Sequence, residues 1–93
     1  MDERVRAHVL VRGRVQGVAF RAYTQERARA RALVGGVRNL DDGRVEVFIE
    51  GPRTAVLALI EELRVGPPRA SVKEVAVEWA TPQADDRVFS IWY

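Results

Sequence analysis

The sequence predicts an α+β fold in which two helices pack on one face of a mainly antiparallel sheet of four or five strands. Three observations predict it. Apolar residues alternate with polar ones in several stretches, they recur at helical spacing in others, and glycine, proline or aspartate separates one stretch from the next. The resulting order is β-α-β-β-α-β with an extra short strand at the end. That order is typical of the split βαβ, or ferredoxin-like, sandwich.

The first strand and the first helix lie on either side of a glycine-containing loop. Apolar residues at every second position predict the strand: Val5, Ala7, Val9 and Val11. An alanine-rich segment from Phe20 to Val34 predicts the helix, and Gly35-Gly36 is expected to end it. The predicted inward positions of this helix are Phe20, Tyr23, Ala30 and Leu33.

A hairpin joins the second predicted strand to the third. The second strand begins over residues 37–40, and Asp41-Asp42-Gly43 is typical of a hairpin turn. The third strand has apolar residues at alternate positions: Val45, Val47 and Ile49. Because βαβ crossovers are right-handed, strands 1 and 3 are expected to lie side by side at the centre of the sheet. The loop after strand 1 and the strand around Asn39 can then lie near one another.

The second helix is expected between Gly51-Pro52 and Gly66-Pro67-Pro68. Its apolar side chains fall on one face: Val56, Leu59, Ile60 and Leu63. The fourth strand is marked by Val72, Val75, Val77 and Trp79. After a turn near residues 82–86, residues 88–93 predict a short final strand.

Composition narrows the classes of protein that the chain can belong to. The 93 residues, 47% of them hydrophobic, fit one domain over residues 1–93 with a single core. The absence of cysteine from the sequence excludes disulfides, thiolate nucleophiles and cysteine-ligated metals. The start lacks the apolar region of a signal peptide and no apolar run is long enough to cross a membrane, so we expect a cytoplasmic protein. A net charge of +2 is too small to indicate a nucleic-acid partner.

The run from Gly13 to Arg21 is the strongest candidate for a binding site. Its two glycines allow several amide N–H groups to face one point, and the start of the following helix adds unpaired N–H groups. Arg21 has the wrong sign for the first turn of a helix unless an anion lies there too. Val15, six residues before Arg21, offers no covalent nucleophile. The alternative is an ordinary glycine turn, because such turns are common between elements.

The other polar candidates carry weaker signals. The Asn39 amide can hold a water molecule, although asparagine is also common beside hairpins. His8, in the middle of a strand, is expected to have a surface or packing role rather than to transfer protons. Asp41 and Asp42 are expected in a turn for backbone reasons. Arg27, Arg29 and Arg31 are expected to form a solvated face. We expect neither a metal site nor a cofactor, since no cluster has metal-ligand spacing.

Two motifs resemble the signatures of the acylphosphatase family. The segment Val11–Arg21 is similar to the first signature, and Gly35-Gly36-Val37-Arg38-Asn39 with the following Asp42–Val45 is similar to the second. The likeness continues through Gly66-Pro67-Pro68 to Glu78-Trp79 and so covers nearly the whole chain. Three positions depart from the family pattern: Arg31 replaces a common leucine, Ala32 a helix-ending glycine, and Gly36 an aromatic residue.

The resemblance implies a small enzyme that hydrolyses the carboxyl-phosphate bond of an acyl phosphate to a carboxylate and inorganic phosphate, without a metal. Its phosphate-binding residues would be Val15, Gln16, Gly17, Val18, Ala19 and Phe20, through their amides, together with the side chain of Arg21. Asn39 would position the attacking water. The implied partners are a small acyl phosphate and phosphate or a similar anion, with no nucleic acid or membrane, and the implied state is a monomer.

The chemistry is feasible with so few reactive side chains. The leaving carboxylate has a conjugate acid of pKa about 4, so no general acid is required. Phosphoryl transfer mostly requires positioning and charge stabilisation, and the proton of the water can pass to a phosphate oxygen. No activity is therefore expected on phosphate monoesters, whose leaving groups need a proton.

Two other functions are compatible with the same loop. One is a non-enzymatic anion or nucleic-acid module, although the third strand, residues 45–50, lacks the paired aromatic residues of an RNA-recognition motif. The other is the acylphosphatase-like domain of a larger carbamoyl-transferring maturation protein. The end of the chain at Tyr93 favours a stand-alone enzyme.

Overall fold

A computed structural model describes residues 2–93, which form a five-stranded sheet and two helices. The elements in chain order are β1 Arg4–Arg14, α1 Phe20–Ala30, β2 Val34–Asn39, β3 Val45–Pro52, α2 Arg53–Val65, β4 Ser71–Ala80 and β5 Phe89–Ile91. The order across the sheet is β4-β1-β3-β2-β5, so the predicted ferredoxin-like α+β fold with strands 1 and 3 at its centre is confirmed. The sheet is mixed, because β5 runs parallel to β2 while the other neighbours are antiparallel.

The alternation in the central strands separates an apolar face from a polar one. Val9 of β1 and Val47 of β3 are fully buried and face each other across the sheet. The apolar stripe of α2 lies against this layer, and all four of its predicted residues are buried: Val56, Leu59, Ile60 and Leu63. These residues belong to the same core cluster as Phe20 and Ala28 of α1, which shows that both helices cover one face of the sheet.

The first helix is shorter than the sequence predicted. It ends at Ala30 because the next turn closes through Ala32, whose φ of +56° lies in the left-handed region. Ala30 is exposed, so its predicted inward position was wrong. Tyr23 is half-buried, so its predicted inward position is correct only in part. Thr24 and Ala28 are buried instead, so the inner face of the helix is a stripe at every fourth residue that begins at Phe20.

Gly35 and Gly36 do not end the helix, as the sequence suggested, but lie inside β2. At both glycines a neighbouring group lies so close to the backbone that a side chain would not fit. A Cβ on Gly35 would overlap the Phe48 carbonyl of the neighbouring strand, and one on Gly36 would overlap the Trp92 indole. The glycines therefore stand where the strand has no room for a side chain.

The polar face of the sheet carries paired charges. Glu50 is almost fully buried and accepts hydrogen bonds from Arg6 and Arg4, both at 3.2 Å. The backbone amides of Gln83 and Ala84 also donate to it, at 2.8 and 2.9 Å, which fastens the segment between β4 and β5 to the sheet. Neither helix described in residues 2–93 is long and apolar enough to cross a membrane.

Candidate functional site

The loop between β1 and α1 has the backbone geometry of an anion cradle. Gly17 and Ala19 have φ values of +74° and +63°, while Val18 between them does not, and such alternation turns successive N–H groups to one side. Across residues 2–93, the N–H groups of residues 16–19 donate none of the loop and cap hydrogen bonds. Helix α1 begins directly after Ala19, with no side-chain cap and no acidic residue in its first turn. The loop thus presents free donors beside the positive end of a helix.

A cavity of about 180 Å³ opens at this loop. The residues that line it are Val15, Gly17, Ala19, Phe20, Arg21, Ala22, Asn39, Ile91 and Tyr93. The structure therefore brings together most of the predicted site, including Arg21 and Asn39. Two predicted loop residues, Gln16 and Val18, do not line the cavity. The side chain of Val18 is buried in the core, and that of Gln16 reaches the β2–β3 hairpin.

Arg21 supplies the charge in the cavity. No carboxylate among residues 2–93 forms a salt bridge with its guanidinium group, whose central carbon lies 5.5 Å from the centre of the Tyr93 ring. Its five donors are suited to the oxygens of a phosphate group. The cavity therefore holds a positive charge that the rest of the described chain leaves without a counter-ion.

Asn39, which also lines the cavity, supplies a hydrogen-bond acceptor. It is the last residue of β2, and its Oδ1 is the one buried side-chain oxygen or nitrogen in the described chain without a hydrogen-bond partner. A buried acceptor left without a donor costs about 1–3 kcal/mol. This atom is therefore available to a donor that the chain itself does not supply, such as a water molecule.

The strand directions explain why these groups meet. Both β1 and β2 are antiparallel to β3, so their carboxyl ends lie at the same edge of the sheet. The cradle loop leaves one of these ends and Asn39 terminates the other. Strand β5 runs parallel to β2, so its end brings Ile91 and Tyr93 to the same edge. No sequence pattern indicated these two residues, because the pairing partner of a three-residue strand has no signal in the sequence.

The other polar candidates have structural partners. His8 Nε2 lies 2.8 Å from Glu46 Oε2, and its ring stacks on Phe48 with 4.4 Å between the centroids. The Glu46 carboxylate is also bound by Arg38. Burial would raise the pKa of Glu46, but the hydrogen bonds from His8 and Arg38 outweigh burial and lower it. His8 therefore has the packing role that the sequence predicted.

The hairpin aspartates lie in the turn, as expected, and the predicted arginine face is exposed, but its side chains also bind the protein: Arg29 donates to the Phe89 carbonyl at 3.0 Å. Arg27 and Arg31 both bind Glu62, at 2.9 and 2.7 Å. Asp42 binds Arg44 within the hairpin, and this hydrogen bond lowers the pKa of Asp42. In the part of the chain that the structure describes, no group of three or more histidine, aspartate or glutamate side chains is arranged to hold a metal ion.

Comparisons with known proteins agree with this geometry. The sequence profile of the Acylphosphatase family matches residues 7–91. The chain belongs to the acylphosphatase family. An acylphosphatase from Chloroflexus aurantiacus is 53% identical to it over 87 residues, which are 94% of this chain and 95% of that protein. The predicted family resemblance is thereby confirmed.

Solved structures of acylphosphatases have the same fold. The crystal structure of acylphosphatase from Bacillus subtilis superposes with a TM-score of 0.93 at 39% identity and covers 96% of this chain and 99% of that one. HypF from T. kodakarensis superposes with a TM-score of 0.83 at 33% identity, over 96% of this chain but 12% of that chain. The family match, the relatives and the structural neighbours support acylphosphatase function, that of a hydrolytic enzyme with a small-molecule acyl phosphate as substrate.

Proposed function

We propose that this acylphosphatase works by direct attack of a water molecule held by Asn39 on a phosphate bound by the loop of residues 15–20 and by Arg21. The observation that carries the proposal is the buried Oδ1 of Asn39, which has no partner among residues 2–93 and belongs to a residue that lines the same small cavity as the cradle loop. A water that donates to this oxygen keeps a lone pair free for phosphorus.

The loop and Arg21 are suited to the charge of the reacting group. In phosphoryl transfer the negative charge spreads over the equatorial oxygens, and fixed donors aimed at them stabilise the transition state. The free N–H groups of the loop meet these oxygens from one side and the guanidinium of Arg21 meets them from another. Because the first turn of α1 has no acidic residue, nothing there opposes the bound anion.

The departing carboxylate leaves from the face of phosphorus opposite the water. The attacking and leaving oxygens are roughly in line, so a water held by Asn39 places the acyl group on the far side of the phosphate from Asn39. The water oxygen forms a bond to phosphorus as the bond to the carboxylate oxygen breaks with its electron pair. The proton of the water passes to a phosphate oxygen. His8 is not needed, and it is bound to Glu46 on the opposite face of the sheet.

Phosphate release from two acyl phosphates and one monoester tests this function. Acetyl phosphate and benzoyl phosphate should release phosphate at rates that a metal chelator does not change, and glycerol 3-phosphate, whose alkoxide leaving group needs a proton, should release none. Loss of activity with the chelator would contradict the metal-independent mechanism. Hydrolysis of the monoester at a similar rate would contradict the restriction to carboxylate leaving groups.

We also propose a domain organisation, a location, an oligomeric state and a set of partners for the enzyme. Residues 1–93 form one acylphosphatase-like domain that acts as a cytoplasmic monomer, and inorganic phosphate binds in the cavity as product and inhibitor. Nucleic acid and membranes are not partners. The polar face of the sheet supports this, because Phe48 is stacked on His8 and has Arg6 over its ring and so is not free to stack on a base. Gel filtration with light scattering tests the monomer.

A further inference from the structure

We propose that Gln16 is a positioning residue that holds Asn39 at a fixed distance from the bound phosphate. It does so by tying the cradle loop to the hairpin that carries Asn39. This inference rests on the proposed function, since it concerns the same site, but the side chain of Gln16 does not line the cavity. It therefore acts through another residue and not on the substrate.

The tie consists of two hydrogen bonds from one amide group. Nε2 of Gln16 donates to the carbonyl oxygen of Leu40 at 2.8 Å and to that of Arg44 at 3.0 Å. Both of its hydrogens are thereby used. Leu40 and Arg44 also bind each other, since the Leu40 amide donates to the Arg44 carbonyl at 2.8 Å. Gln16 thus binds the closed base of the hairpin, and one of its two acceptors directly follows Asn39 in the chain.

Glutamine is well suited to this contact. Two backbone carbonyls need two donors, and an ionised glutamate has none, while methionine has nearly the same length without a donor. Within residues 2–93, these are the only side-chain hydrogen bonds between the loop of residues 15–19 and the hairpin. They span 24 and 28 residues of sequence, and they join the loop to the hairpin beyond the last pair of β1 and β3, which is Val11 with Val45.

The consequence concerns the geometry of attack. The loop holds the phosphate and the hairpin holds the water, so the distance between the reacting atoms depends on how the two segments are joined. A displacement of about 1 Å in reacting groups lowers rates by about 100-fold. Loss of the tie should therefore lower kcat, while the amides and Arg21 still bind phosphate.

The experiment compares Gln16→Met with Gln25→Met. Gln25 is a matched control, since its Nε2 also donates to a backbone carbonyl, that of Phe89 at 3.4 Å, but it lies outside the cavity. For Gln16→Met we expect kcat on benzoyl phosphate to fall by about 10- to 100-fold. The inhibition constant of inorganic phosphate should change by less than about threefold, a free-energy change well below that of one lost charged hydrogen bond. Gln25→Met should change neither constant.

Combination with Asn39→Ala separates positioning from general loosening. If Gln16 acts by positioning Asn39, adding Gln16→Met to Asn39→Ala should lower kcat little further. Full additivity of the two effects would overturn the proposal. So would an unchanged kcat in Gln16→Met, or a loss of phosphate affinity as large as the loss of kcat.

A second variant and a second measurement keep the test valid if Gln16→Met folds poorly or the substrate is wrong. In Gln16→Glu, a protonated carboxyl regains one donor, so its kcat relative to the parent should rise as the pH falls towards the ordinary glutamate pKa of about 4.3. Hydrogen exchange of the Leu40 amide should be faster in Gln16→Met than in Gln25→Met, whatever the substrate. An inactive parent enzyme with this exchange difference would contradict the proposed function, whereas equal exchange in an active enzyme would contradict the tie.

Discussion

The cavity and the polar face of the sheet differ in whether their polar side chains have partners within the protein. On the sheet, Arg6 is buried and binds Glu50 at 3.2 Å and Asp86 at 3.4 Å. Glu50 in turn accepts four hydrogen bonds from side chains and backbone amides. In the cavity, Arg21 has no carboxylate partner and Asn39 Oδ1 has no donor within residues 2–93. One region satisfies its polar groups internally, and the other leaves them for a ligand.

Because of this difference, we expect the polar face to contribute mainly to stability and the cavity mainly to activity. Polar groups that are satisfied inside the protein stabilise the fold, because removing one partner leaves the other buried and unpaired. Polar groups that await a ligand lower the stability of the free protein and contribute to binding and catalysis. Substitutions in the cavity should therefore change activity more than stability, and substitutions on the polar face should do the reverse.

The largest expected effect is on activity, from Arg21→Ala. Removal of an arginine that stabilises phosphoryl charge lowers rates by about a thousandfold or more. We expect a loss of this size in kcat/KM for benzoyl phosphate, a weaker inhibition by inorganic phosphate, and little change in the free energy of unfolding. Steady-state kinetics measure kcat/KM and inhibition by phosphate, and urea unfolding measures the free energy of unfolding. An Arg21→Ala enzyme that is active but unstable would contradict the expectation that the cavity contributes to activity more than to stability.

The next expected effect is on stability, from Glu50→Gln. Burial alone would raise the pKa of Glu50, but the hydrogen bonds from the amides of Gln83 and Ala84 and from Arg6 and Arg4 outweigh it and lower the pKa below its ordinary 4.5. A carboxyl group with a lowered pKa in the folded state stabilises the protein above its ordinary pKa and loses this effect as the pH falls through the folded value. We expect the free energy of unfolding to fall in acid for this reason.

Urea unfolding of Glu50→Gln at several pH values measures this contribution. Because the substitution leaves the buried Arg6 with Asp86 as its one carboxylate partner among residues 2–93, we expect a loss of about 3 kcal/mol at pH 7 and a weaker dependence on acid. Glu61→Gln is the control, since Glu61 forms an exposed pair with Arg64 and should change little. Equal effects of the two substitutions, or an unchanged acid dependence, would contradict the role of Glu50.

A smaller loss of activity is expected from Asn39→Ala. Without the acceptor for water, kcat should fall by about 100-fold, the lower range for removal of one preorganised polar group. Inhibition by inorganic phosphate should persist, because the loop and Arg21 are unchanged. The free energy of unfolding should stay equal or rise, since a buried oxygen without a partner is removed. A near-normal kcat in this variant would disprove the water-positioning role.

The structure brings together most of the residues that the sequence predicted for the site, because these residues are close to element ends. Turn residues and period-two patterns placed the loop before Arg21 and placed Asn39 beside the hairpin, and the handedness of crossovers then brought them to one region. The pairing of β5 with β2 was beyond such reasoning, because it depends on contacts of a short strand. The position of Tyr93 was missed for that reason. The contacts of Gln16 were missed because side-chain contacts over 24 and 28 residues leave no signal in the local sequence pattern.

The end of α1 was misplaced because two glycines looked like a stop signal. Their actual reason is the close approach of Phe48 and Trp92, which only the assembled sheet reveals. The turn itself uses Ala32, at the position where the family commonly has glycine. An alanine in the left-handed region is typical of neither helices nor turns, so the sequence alone had no signal for it.

The smallest expected effect is a gain in stability from Ala32→Gly. The left-handed conformation costs an alanine about 1–2 kcal/mol, and glycine avoids this but loses about 0.5–1 kcal/mol more chain entropy on folding. We therefore expect the free energy of unfolding to rise by up to about 1 kcal/mol, with unchanged kcat, since Ala32 lies outside the cavity. Ala30→Gly, two residues earlier in the helix, should instead lower stability by up to about 1 kcal/mol. The same sign for both substitutions would show that the φ of Ala32 carries no strain, and a change in kcat with Ala32→Gly would show that the two ends of α1 are coupled.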